Sequence, residues 1–240
     1  MNIATKDIKE QQILILSEDS KSFFDYLIYF LTQHKVNKQK KNEQASKILA
    51  KIKNKAKNRL EFYISNPKNS QQLKITIYHP GSNAQTIINT AKNIRDNKKN
   101  CFDRIYCVFD YVFENKHKDN HEQYKRIISQ KEELEKKNIF IINSVPSYEY
   151  WLLTHLKQCN KNLSDDELKK ELEDAIKIDY EKNNSHLFEK LFQDNYKEIL
   201  EYAISRCKKQ DEYNKQHEVS DDNPSSQIYK MIEYIKDFLE

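Results

Sequence analysis

Ile13-Leu14-Ile15-Leu16-Ser17-Glu18 is the stretch on which the reading of this chain turns, and Ile105-Tyr106-Cys107-Val108-Phe109-Asp110 repeats its form. Each is a short apolar run that ends in an acid. Runs of this length, rich in branched and aromatic residues, suit strands covered on both faces. In an open α/β sheet the ligand crevice lies outside the carboxyl ends of the strands. Glu18 and Asp110, delivered there from distant parts of the chain, make a candidate site for a divalent metal or for acid/base chemistry. The alternative use of each acid is to cap the helix that follows its strand.

Working outward from Glu18, the residues Phe23, Phe24, Leu27, Ile28 and Leu31 share one helical face. A lysine-rich stretch from Lys35 to Lys57 follows, weakly periodic at Ile48, Leu49 and Ile52. It reads as a surface helix whose basic face is either solvated or set against phosphate. Residues 60–64 and 73–78 alternate as strands do, around a turn at Asn66-Pro67-Lys68-Asn69-Ser70. Pro80-Gly81-Ser82 opens a helix to about Lys98, and the strand ending at Asp110 comes next. A polar loop, Glu114 to Asn120, leads to a helix with an inner face of Tyr124, Ile127, Ile128 and Leu134; Ile139-Phe140-Ile141-Ile142 is a further buried strand.

This alternation predicts an α/β fold with right-handed crossovers and a mainly parallel four-stranded sheet flanked by helices. Beyond Ser144 the pattern is helical only, over 147–157, 164–177, 185–208 (one helix or two) and 225–239. Gln210 to Asn223 reads as polar and mobile. The expected organisation is an α/β core over 1–145, with a helix and hairpin inserted at 35–80. A helical C-terminal extension over 146–240 packs on that core.

The 240 residues suffice for one sizeable core. A single glycine excludes a P-loop and a dinucleotide fingerprint, both of which bring backbone close to phosphate at glycine positions. Net charge is +4, from 41 basic and 37 acidic residues, which permits a nucleic-acid partner without requiring one. Cys101, Cys107, Cys159 and Cys207 form no C-x-x-C pair and read as reduced thiols. With no apolar stretch of membrane-spanning length, the expectation is a soluble, cytoplasmic protein with no membrane partner.

Five stretches carry a family resemblance. They are Ile13 to Phe24, Tyr106 to Asp110, Ser144 to Leu153 (Ser-Val-Pro-Ser-Tyr-Glu-Tyr-Trp-Leu-Leu), Asp179 to Asn183, and Asn223 to Lys230. Together they resemble the RloB-like family, which includes the AbiL-type second component of abortive-infection systems, and more broadly a Toprim domain. The Ser-x-Pro-x-x-Glu-x-Trp stretch is the most specific of the five.

The resemblance implies a metal-dependent Toprim nuclease of antiphage defence, acting beside an ABC-type ATPase encoded nearby, with Mg²⁺ or Mn²⁺ as cofactor. RNA (tRNA included) and DNA both remain open as substrate. Carried over residue by residue, Glu18 takes the acid/base or shared-ligand role and Asp110 the metal role. Glu149 is a further catalytic carboxylate or metal ligand, the alternative being a cap or pair within its own helix. Lys21 and Lys182 are candidate phosphate contacts, the latter also readable as a solvated surface lysine.

The chain departs from the family pattern twice. Asp19 stands where a Gly follows the first Glu, and Val112 stands where Asp-x-Asp has its second acid. Glu114, two residues on, and Asp19 are the candidate replacements for that ligand. Tyr148 and Trp151 read as core residues rather than base-stacking ones. His117 and His121, near Glu114 and Asp119, lack a third metal ligand at a recognisable spacing.

The departures keep a second function open: a catalytically impaired Toprim-like module that binds nucleic acid or regulates the ATPase. Oligomeric state is open too, because the amphipathic 225–239 face suits either a second copy or the core.

Overall fold

A computed structural model of the chain describes residues 10–35, 59–65, 71–81, 83–97, 102–111, 118–177, 179–181, 185–192, 195–219 and 223–239. In chain order the elements are β1 (Glu10–Ser17), α1 (Ser22–Lys35), β2 (Arg59–Ser65), β3 (Gln72–Tyr78), α2 (Ala84–Asp96), β4 (Arg104–Asp110), α3 (Lys118–Ser129), α4 (Lys131–Lys136) and β5 (Ile139–Val145). Then come α5 (Glu149–Leu156), α6 (Asp165–Ile176), α7 (Ser185–Leu191), α8 (Tyr196–Gln216), β6 (Ser225–Ser226) and α9 (Ile228–Leu239). The lysine-rich 35–57 helix and the 66–70 turn read from the sequence fall almost wholly outside the described residues.

Strand alternation decides the layering. Ile13 and Ile15 of β1 join one apolar cluster, whereas Leu14 and Leu16 join another. β4 divides the same way, Tyr106 and Val108 against Ile105, Cys107 and Phe109. Successive side chains point to opposite faces, so a run with no polar residue needs cover on both sides. Ile87 of α2, Ile127 of α3 and Leu134 of α4 cover one face; α1 and α5 to α9 cover the other. Trp151 and Tyr148 lie in this second layer, Trp151 with its ring 5.9 Å from that of Tyr26, and are core residues as read.

Among the described residues the sheet is mixed and six-stranded, in the order β2-β3-β1-β4-β5-β6, so the expected mainly parallel four strands are extended by two antiparallel edges. Its four central strands are parallel; β2 pairs antiparallel with β3, and β6 antiparallel with β5. The 60–64/73–78 hairpin therefore contributes an edge strand and an interior strand to the main sheet. β6 is only two serines, too short and too polar to show a strand period. The region past Gln210 also departs from expectation, because α8 runs on to Gln216. Two of its polar side chains, Gln210 and Asn214, are buried while Glu212, Lys215, Gln216 and Glu218 stay exposed: Gln210 donates to Asn214 at 2.8 Å, and Asn214 to Pro224 O at 3.0 Å. The 185–208 stretch resolves into the separate helices α7 and α8.

Topology places the site. The connection from β1 to β3 runs through α1 on one face, and that from β3 to β4 through α2 on the other. Strand order thus reverses at β1, and a reversal of this kind opens a crevice at the carboxyl ends of the two strands it separates. Those strands are β1 and β4. The lone glycine, Gly81, lies just before α2 with φ 152°, a conformation that side-chain-bearing residues rarely adopt.

Candidate active site at the sheet rim

The β1–β4 ladder continues past the strands into the two acids. The Glu18 N–H donates to Val108 O at 3.0 Å, and the Asp110 N–H donates to Glu18 Oε2 at 3.3 Å. Register explains the meeting, since Ser17 pairs with Val108 and the next residue on β1 must face the end of β4. Glu18 and Asp110, placed together from the sequence, are neighbours at the switch point.

On the other side of β1, His79 follows β3, and its Nδ1 lies 2.9 Å from Ser17 O. A carbonyl only accepts, so Nδ1 carries the proton and Nε2 is the basic nitrogen of the neutral ring. Sequence reasoning missed His79. The signal was available, because His79 stands after an apolar strand just as Glu18 and Asp110 do.

The turn into α1 is built around Asp19. Its carboxylate accepts from the Lys21 N–H at 2.6 Å and from the Ser22 hydroxyl. Ser17 Oγ donates to Asp19 O at 2.8 Å and accepts from the Asp19 N–H at 3.2 Å. An Asp that bonds the backbone two residues ahead stabilises a tight turn, which accounts for an acid at position 19. Lys21 is exposed beside Glu18, and its carbonyl accepts from the Asp25 N–H at 2.8 Å.

Glu149 opens α5 and is fully buried. Its Oε1 accepts from the Tyr180 hydroxyl at 3.0 Å, a bond to another segment rather than within its own helix. Burial pushes the Tyr180 phenol far above its usual range, and the charges of Glu149, Asp19 and Asp110 act in the same direction. One hydroxyl thus lies within the field of three carboxylates. The Tyr180 N–H donates to Glu173 at 3.1 Å, which ties the 179–181 segment to α6.

Two further stretches lock the floor of the rim. Ser144 of β5 and Ser226 of β6 share a hydroxyl–hydroxyl bond of 2.9 Å, and the Gln227 N–H donates to Asn143 O at 2.8 Å. The peptide bonds Val145–Pro146 and Asn223–Pro224 are both cis. Next to Asp110, Tyr111 donates its N–H to Ser144 O at 2.9 Å and stacks on Tyr124 at 3.5 Å between ring centroids. The motifs quoted from the sequence therefore meet in pairs: Glu18 with Asp110, Glu149 with Tyr180, and Ser144 with Ser226.

Glu114, Lys182, Val112 and His117 lie outside the described residues, as do the side chains of Asp119 and His121. Among the described residues no three His, Cys, Asp or Glu side chains gather into one metal shell. The donors Glu18 and Asp110 are nevertheless hard oxygens of the right kind for Mg²⁺. That ion keeps several waters and is commonly held by only one or two carboxylates.

These features define an α/β protein with an acidic site at the switch point of a mixed sheet. The chain belongs to the RloB-like family, whose model, described as RloB-like protein, matches residues 13–235. No curated protein matches it. Among the described residues, no helix is long and apolar enough to cross a membrane.

Proposed function

We propose that this protein is a metal-dependent nuclease with a Toprim-like site, cleaving RNA or DNA phosphodiesters in antiphage defence beside an ABC-type ATPase. The reading is supported above all by one observation: the Asp110 backbone N–H donates to the carboxylate of Glu18, 92 residues away, which sets the two acids side by side at the switch point. Phosphodiester cleavage needs a nucleophile in line, neutralised phosphate oxygens and a protonated leaving group. Bound Mg²⁺ supplies the neutralisation, with Glu18 and Asp110 as its protein ligands. His79 Nε2 is then the group that gives or takes a proton. Lys21, exposed on the same rim, is a phosphate contact, and a cytoplasmic setting suits such a protein.

The test is cleavage of end-labelled tRNA, single-stranded DNA and duplex DNA by the purified chain, with Mg²⁺ or Mn²⁺ and with EDTA. Metal-dependent products that vanish in Glu18→Gln and Asp110→Asn are the expected result. Undiminished cleavage by the double variant would overturn the proposal.

A specific pair of observations favours a second reading, that of an impaired module which binds nucleic acid or regulates the ATPase. Val112 replaces the second acid of Asp-x-Asp, and the carboxylate of Asp19, its candidate substitute, is engaged by the turn. Val112→Asp separates the two: nuclease activity gained only with this change supports the impaired reading, and cleavage by the wild type removes it.

A further inference from the structure

A second site lies away from the rim, on the exposed side of α8. Tyr202, Arg206, Lys209 and Tyr213 line one cleft of about 570 Å³ there. At 100° per residue these four positions fall within about 60° of one another, and they span about 16 Å of helix. Tyr202 and Tyr213 are 51% and 43% exposed, and they stand out among the large side chains the fold leaves open to solvent. Gln158 and Asn160, from the loop after α5, complete the wall, and no carboxylate lines it.

The cleft is built from anchored groups rather than from a loose surface. Arg206 Nη1 donates to Thr154 O at 2.6 Å, and its guanidinium lies 5.6 Å from the Tyr202 ring centroid. Tyr213 stacks on His217 with 4.0 Å between ring centroids. Gln210, only 1% exposed, belongs to the lining, and its amide orientation is fixed by donation to Asn214. Its Oε1 has no hydrogen-bond partner among the described residues.

We infer that the α8 cleft binds single-stranded nucleic acid. The two tyrosines are stacking platforms for bases, and Arg206 and Lys209 neutralise the phosphates between them. Two cations flanked by two aromatic rings along a groove is a pattern that tracks an unpaired strand, and Glu198, outside the lining, accepts from the Tyr202 hydroxyl at 2.9 Å and orients that ring. An acidic peptide would satisfy the cations but offers no flat groups to the open faces of the two rings. The inference rests on the nuclease reading for its natural ligand, and gives that reading a place to hold the strand outside the rim.

The test is fluorescence polarisation of the full chain, in EDTA, with a labelled twelve-residue single-stranded RNA, the same sequence as DNA, and the DNA duplex. Single strands are expected to bind more tightly than the duplex, and a preference for RNA or for DNA assigns the sugar. Tyr202→Ala and Tyr213→Ala should each weaken binding about tenfold. Lys209→Gln should reduce the slope of log affinity against log salt by about 0.7, a change that a merely structural effect would not produce. Unchanged binding by all three variants, duplex binding as tight as single-strand binding, or equal competition by polyglutamate would each overturn the inference. The Mg²⁺-induced shift in melting temperature, read on the same variants, reports the rim alone. Its retention while strand binding is lost separates a failure of this surface from a failure of the nuclease reading.

Discussion

Asp110 offers its backbone N–H to the Glu18 carboxylate at 3.3 Å, so the acid at the end of one strand is oriented by the main chain of the next. Gln at position 18 keeps an acceptor for that bond and removes only the charge. Glu18→Gln is therefore expected to melt within a few degrees of the wild type while losing cleavage by about a hundredfold or more. It should also lose the stabilisation that saturating Mg²⁺ gives the wild type, about 2.7 kcal/mol at a hundred times Kd. Melting curves with and without Mg²⁺ check both halves.

His79 is held by Ser17 O with Nε2 as its basic nitrogen. His79→Gln retains an N–H donor for that carbonyl but cannot exchange a proton. Cleavage by this variant should fall by about a hundredfold with substrate affinity nearly unchanged. An unaltered cleavage rate would remove His79 from the chemistry.

The Tyr180 hydroxyl donates to the Glu149 carboxyl group in a part-buried bond of 3.0 Å. Tyr180→Phe deletes the donor and leaves the acceptor, which should cost about 2 kcal/mol in urea denaturation. Glu149→Gln preserves an acceptor for the phenol and removes the charge. If Glu149 takes part in cleavage or metal binding, this variant stays folded and loses activity.

Stability should also depend on pH through His155. Burial pushes this imidazole from 6.5 down to about 4, while Nδ1 donates to Trp151 O at 2.9 Å and the Tyr26 hydroxyl lies 3.2 Å from Nε2. The unfolded chain binds the proton first as pH falls, so protonation favours unfolding. The contribution is present in full above pH 6.5 and is lost on the way down to about pH 4, amounting to about 3 kcal/mol. Urea midpoints measured across that window should fall in the wild type and stay flatter in His155→Gln.

Much of this architecture is legible in residue order, and the exceptions are physical. The strand 13–17 is readable because both of its faces are buried, so its apolar run is unbroken. β6 is not readable, because Ser225 and Ser226 have neither length nor apolar period; only their pairing with Ser144 and Val145 at the edge of β5 makes them a strand. Gln210 and Asn214 look solvated on composition alone. They are buried because each satisfies its neighbour and Pro224.

The candidate site divides along the same line. Local sequence determined that Glu18 and Asp110 end buried strands, since apolar periodicity and the acid that stops it are properties of neighbouring residues. Tertiary structure decided which ends meet. Parallel register set Glu18 against the end of β4 and brought His79 to Ser17, and helix packing closed Tyr180 over Glu149. Such bonds join residues up to 92 positions apart, and no local pattern encodes a partner that only the folded sheet brings within reach.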